Sequence, residues 1–435
     1  MLAGFFTLVG SSVTWLRATV VGTSISLLVL LLVTTPSNAA VKAGGECKKV
    51  GLKTQFKGNS FICIKSGKKK IWKVAKKEKP VALPTVLPAS TLKPTPTPTP
   101  SQSLTPTQTP TPTPSPTFPR EPKNFSDIAD YDQVTYWAWR KSSDKIKSNE
   151  STVKEVEVLI GPKSGILNKN PLEATQITSR LYGGFAQPKD LKFVSYSFED
   201  IPWAQNLINT LINDEALLNL IQAPNRGGKE NARGTCPSVE RCHSSQPFTN
   251  RAGKSFVIAG YTPSRLDNEG ETKGELQSHE FTHIIQQHQF IGTPRELNGL
   301  AGLKEFLPWW LVEGGADFGG LLSKHYLSYE EYLQGRLRDV LRVPKREKIW
   351  YEDFINPVSN QYWIQFDSTG EIYNIGFMVT EIMSAIKGPG VQMELIKLIA
   401  SGKSMDQAFE SIFDTPWKSA VSEMAILIAK ERARP

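Results

Sequence analysis

Histidine is scarce in this sequence, with 5 among 435 residues. Cysteine is scarcer still, with 4, and no two stand in a C-x-x-C arrangement, which argues against a zinc site built on cysteine. No apolar run reaches the ~20 residues of a spanning helix. The best, residues 18–33, falls short. No cysteine follows that run directly, which disfavours a lipoprotein. No internal repeat is visible, so a repeat architecture is not indicated. Most of the chain also lacks any excess of positive charge. The formal net charge is +9, yet residues 42–79 hold thirteen lysines against Glu46 and Glu78, or +11, leaving −2 for everything else. A basic face serving the whole fold, as in a nucleic-acid enzyme, is therefore not indicated.

What is present begins with an export signal. Arg17 is the only charge before residue 42, residues 18–33 are largely apolar, and Pro36 follows. Small residues at Ser37 and Ala39 suit cleavage after Ala39, so residues 1–39 read as a signal peptide, with an uncleaved signal anchor as the alternative. The protein is accordingly expected to be secreted or associated with the cell envelope. The cysteines agree, because they fall into two local pairs, Cys47 with Cys63 and Cys236 with Cys242, that an oxidising compartment would close.

Three further regions follow. Residues 40–79 form a small lysine-rich module in which Gly44, Gly45, Gly51, Gly58 and Gly67 punctuate strand-like runs such as Phe61–Ile64. So short a segment buries little core and needs its disulfide. It is similar to small cysteine-pair modules of secreted bacterial proteins. Its lysines suit anionic envelope polymers; a solvated lysine face with no partner is the plainer reading. Residues 80–122 alternate Pro with Thr or Ser and read as an extended spacer. Residues 123–435 are the body. Strands are expected around residues 153–165, 191–200 and 254–261, and a helix over "IPWAQNLINTLI". Helical patterning takes over from Glu275 and again from about residue 371. Strands first and helices later indicate an α+β fold and not a βαβ alternation.

The chemistry concentrates in "SHEFTHIIQQHQF", residues 278–290. His279, Glu280 and His283 form H-E-x-x-H. On a helix, positions i and i+4 share one face, so both imidazoles can bind one Zn2+. Glu280 lies roughly 100° round the helix, placed to take a proton from water activated there without being a ligand itself. The bland alternative is a polar helix surface, but Phe281, Ile284 and Ile285 mark the helix as core-packed. A longer motif with a third histidine six residues on does not fit, because Gln286 and Gln289 occupy the required positions and His288 is one place off. His288 is expected to be an ordinary polar residue.

A glutamate on a later helix is the other source of a third ligand, and "PWWLVEGGADFGG", residues 308–320, contains one. The pair HEFTH and W-L-V-E-G-G-A-D resembles the gluzincin, or thermolysin-like, zinc metallopeptidases, particularly a bacterial branch with a W-L-x-E-G-x-A signature. That resemblance implies Glu313 as third metal ligand and Asp317 as the acid that hydrogen-bonds a ligand histidine. It is close over residues 254–320 and loose over 123–435. The spacing departs from the family's, since residues 291–307 read as an inserted loop. Glu305 is the rival ligand, with Trp309 where an acid should stand.

The resemblance also implies that "KSFVIAGY", residues 254–261, lies beside the cleft and pairs with an extended substrate. It suggests Tyr373 as a stabiliser of the oxyanion, with Tyr362 and His325 as competitors. Cys236 and Cys242 would clamp a loop upstream of that strand, either at the cleft rim or as plain loop stabilisation. The sequence therefore leads to a secreted zinc metallopeptidase acting on a peptide or protein substrate, with Glu280 as general base. The alternative is an inactive envelope-binding protein with a degenerate peptidase body.

Overall fold

The computed structural model describes residues 45, 53–56, 59–67, 69–74, 118–212, 231–266, 268–295, 303, 305–356 and 370–434. The expected signal segment, Cys47, nearly all of the spacer and Tyr362 lie outside these residues. The chain divides into two units, Met1–Thr109 and Pro110–Pro435.

In the first unit, β1 (Lys53–Phe56), β2 (Asn59–Ser66) and β3 (Lys69–Val74) form an antiparallel sheet in that order. Cys63 pairs across the ladder with Trp72, and both are buried. Cys63 is disulfide-bonded; its expected partner, Cys47, lies outside the described residues. One step towards the hairpin end on the same face, Lys65 faces Lys70, both exposed.

The second unit opens with α1 (Tyr131–Ser148), whose Asp130 cap accepts from the Gln133 amide and whose Val134, Ala138 and Ile146 are buried. A four-stranded sheet follows, ordered β4-β5-β7-β6. β4 (Glu155–Ile160), β5 (Asp190–Tyr196) and β7 (Ser255–Gly260) are parallel neighbours, while β6 (Ser245–Thr249) runs antiparallel at the β7 edge. Two helices, α2 (Pro171–Leu181) and α3 (Ile201–Ile212), lie in the connections between the parallel strands. Mixed α+β order holds, with strands leading and helices following. The expected absence of βαβ connections does not. Parallel neighbours require a crossover, and helices supply it.

Strand periodicity divides the sheet between two cores. Leu191, Phe193, Val257 and Ala259 face the main helical core. Val194, Tyr196, Phe256 and Ile258 face a smaller one shared with α3 and with Cys236 and Cys242. Those two cysteines form a disulfide, as expected, and both are buried.

The helical half begins with α4 (Glu275–His288), which presents Phe281, Ile284 and Ile285 to the main core. A π-helical turn, Trp310–Gly314, runs directly into α5 (Gly315–His325). There follow α6 (Tyr329–Val340), α7 (Lys348–Ile355), α8 (Gly370–Lys387), α9 (Val391–Ala400), α10 (Met405–Phe413) and α11 (Trp417–Ala433). Each wholly buried Phe or Ile on these faces contributes about 1.5–3 kcal/mol relative to exposure. No helix among the described residues is long and apolar enough to cross a membrane.

Candidate metal centre

Two close helix contacts create the site. A Cβ on Gly320 would lie 2.9 Å from the Glu275 carbonyl oxygen and 3.5 Å from His279 Cβ, so α5 can press against the start of α4 only because residue 320 has no side chain. At Gly314 a Cβ would stand 2.1 Å from the backbone carbon of Gly376, which brings the π turn against α8. Runs of π geometry inside helices concentrate at functional sites. Here the π turn carries Glu313, buried at 4 % exposure, towards α4.

The result is a cluster of His279, His283 and Glu313, whose donor atoms lie within 4.8 Å of one another. The two Nε2 atoms are 3.1 Å apart. Glu313 Oε2 lies 3.2 Å from His283 Nε2 and 3.7 Å from His279 Nε2. Ligands on a tetrahedron of 2.0–2.1 Å bonds stand roughly 3.3 Å apart, so these spacings suit one small ion.

The outer nitrogens fix the tautomers. His279 Nδ1 lies 2.8 Å from Asp317 Oδ1, and a carboxylate only accepts, so that nitrogen carries its hydrogen. His283 Nδ1 lies 2.9 Å from Gln286 Oε1. Gln286 is itself oriented, because its Nε2 donates to the Val312 carbonyl at 2.9 Å. Both inner nitrogens therefore present lone pairs to each other and to Glu313 whenever the imidazoles are neutral. Three converging electron-pair donors in a buried site repel one another unless a cation lies between them. Burial alone would favour neutral His279, but hydrogen bonds to Asp317 and Glu313 outweigh it and raise its pKa well above the ordinary value. The donor set, two imidazoles and a carboxylate with oriented supports, fits zinc.

Glu280 is outside the donor cluster. It is 6 % exposed and lines a cleft of about 340 Å³ together with His279, Asp317, Tyr373, His243 and Ser245. Tyr373 lies in the first turn of α8, with its ring stacked 6.1 Å from that of His279. Burial, then the charges of Glu313, Asp317 and Glu280, and a hydrogen bond to Glu313 hold its phenol well above the usual pKa. It therefore stays a hydroxyl donor at neutral pH. The competitor His325 is not on the cleft; its ring packs at Gly335 and faces Glu331 at 3.7 Å. The rival Glu305 is exposed and stands apart from the cluster.

Two expectations need correction. The strand Ser255–Gly260 is buried along its whole length between β5 and β6, so it has no free edge to offer a substrate. The strand whose residues reach the cleft is β6, through Ser245. His288 is also no ordinary polar residue: it is buried, with Nε2 2.9 Å from Ser255 Oγ, and burial lowers its pKa to about 4. Sequence reasoning missed Gln286, Ser245 and His243 as site residues. Only Gln286, three residues after His283, left a signal that helix geometry could have read.

Comparisons with protein families, with curated proteins and with solved structures give no match.

Proposed function

We propose that this protein is a zinc-dependent metallopeptidase of gluzincin type, exported from the cell. The observation that carries the reading is the buried convergence of His279, His283 and Glu313, with both outer imidazole nitrogens anchored. Zinc, when bound there, lowers the pKa of water and polarises a carbonyl. Glu280 accepts the proton of the attacking water and later delivers it to the leaving amine. Tyr373, kept protonated, donates a hydrogen bond to the oxygen that gains negative charge. Asp317 and Gln286 hold the two imidazoles in their donor orientation. The substrate is a peptide or protein held along the cleft that Ser245 and Glu280 line.

The same proposal assigns the lysines of residues 40–79 to anionic envelope polymers. Thirteen lysines against Glu46 and Glu78 make residues 42–79 the strongly basic stretch of the sequence, which is what such polymers attract. Binding of the exported protein to cell walls should weaken steeply between low and high salt. The test of the catalytic reading is zinc per chain together with turnover of a peptide library. His279→Ala, His283→Ala and Glu313→Ala should each lose the metal, and Glu305→Ala should keep it. Zinc retained by Glu313→Ala and lost by Glu305→Ala would replace the third ligand.

A further inference from the structure

Glu280 carries two carboxylate oxygens, and a general base needs one of them free and aimed. Ser245 Oγ donates to Glu280 Oε1 at 2.5 Å. Among the described residues no hydrogen bond to Oε2 accompanies it. The contact joins two elements distant in sequence: Ser245 begins the edge strand β6, and Glu280 sits in the second turn of α4.

The serine is held from both sides. Its backbone pairs with Ala259 on β7, and the neighbouring Ser244 carbonyl accepts from the Gly260 amide at 2.8 Å. Upstream, the Cys236–Cys242 disulfide is buried in the smaller core, and Ser244 donates to the Thr235 carbonyl at 3.4 Å. A hydroxyl on so fixed a backbone has few orientations left. Serine is also a poor strand former. Its presence where an edge strand meets a catalytic helix calls for a local reason, and the carboxylate provides one.

We infer that Ser245 is a positioning residue for Glu280: its hydroxyl binds Oε1, fixes the carboxylate rotamer, and leaves Oε2 as the oxygen that accepts the proton. This rests on the peptidase reading and deepens it. A positioned base contributes roughly 10²–10⁴-fold to rate, and a carboxylate released to other rotamers loses part of that. The rest of the cleft is untouched, so the loss falls on kcat and not on KM.

The test uses the full exported chain loaded with zinc, in four forms: wild type, Ser245→Ala, Ser245→Thr and Glu280→Gln. Ser245→Ala should keep its zinc and its melting temperature, lower kcat by roughly 10–100-fold and leave KM within about twofold. Ser245→Thr keeps the hydroxyl and suits a strand, so it should restore kcat to within about threefold of wild type. A second readout needs no turnover. Acetohydroxamic acid chelates the metal and offers an N–OH to the base, so calorimetry should show its binding weakened roughly tenfold in Ser245→Ala and recovered in Ser245→Thr. Unchanged kcat and hydroxamate affinity in Ser245→Ala would overturn the inference. So would a Ser245→Thr variant as impaired as Ser245→Ala, because the effect would then be steric. Full activity in Glu280→Gln would instead remove the peptidase reading, and the role of Ser245 with it.

Discussion

Replacing Gly314 by alanine should separate Glu313 from His279 and His283. The added Cβ would meet the carbon of Gly376 at 2.1 Å, its Cα at 2.3 Å and the Phe377 nitrogen at 2.4 Å. All three are backbone atoms, so no side chain can rotate away. A comfortable carbon contact is about 3.5–4.0 Å, and the π turn and α8 must move apart by roughly 1.5 Å to reach it. Such overpacking costs about 1–3 kcal/mol. Alanine's better helix propensity returns at most about 1 kcal/mol, so packing wins. The displacement falls on the residue next to Glu313, and zinc affinity should drop at least about tenfold, since imperfect support alone loosens metal sites by that much. Gly370→Ala is the control, because a Cβ there meets nothing within 4 Å. Thermal unfolding and chelator competition measure the two effects. A Gly314→Ala protein that melts and binds zinc as wild type does would refute the claim that this backbone contact places Glu313.

Other outcomes follow from the same geometry. Asp317→Ala frees the His279 ring and should weaken zinc roughly 10- to 100-fold by chelator competition, with Gln286→Leu acting similarly through His283. His288 has a folded pKa near 4, below its ordinary value of 6.5. The unfolded chain takes up that proton first, so the stability it contributes is full above about pH 6.5 and fades as pH falls towards 4. Denaturant unfolding at pH 7 and pH 4.5 should show wild type losing about 2 kcal/mol more than His288→Gln; equal losses would mean that this imidazole is not held neutral.

The parts of the fold that could be read in advance are those where one periodicity dominates. Phe193 and Val194, or Val257 and Ile258, alternate between two buried faces, and β5 and β7 were legible for that reason. The helix of HEFTH showed itself through Phe281, Ile284 and Ile285. Strand β6 did not, because "SQPFT" has no alternation and Pro247 speaks against a strand. The ladder tolerates that proline at an edge, where one side needs no donor. Parallel pairing was hidden because it depends on crossover handedness and spacing, which no local pattern records. At the site, His279 and His283 were legible because helix spacing constrains them, whereas Glu313 was implied only by the resemblance of its motif to the gluzincins. Ser245 was not, since its contact with Glu280 spans 35 residues and two elements. The π turn at Glu313 likewise arises from packing against Gly376, a tertiary cause.

In the proposed mechanism Glu280 works on water beside the metal and does not hold the metal. Glu280→Gln tests it most directly, with zinc content and peptide turnover measured on the same preparation. The expected result is about one zinc per chain, as in wild type, with turnover reduced by at least roughly 10²-fold. Full turnover with glutamine at 280, or loss of the zinc, would contradict it.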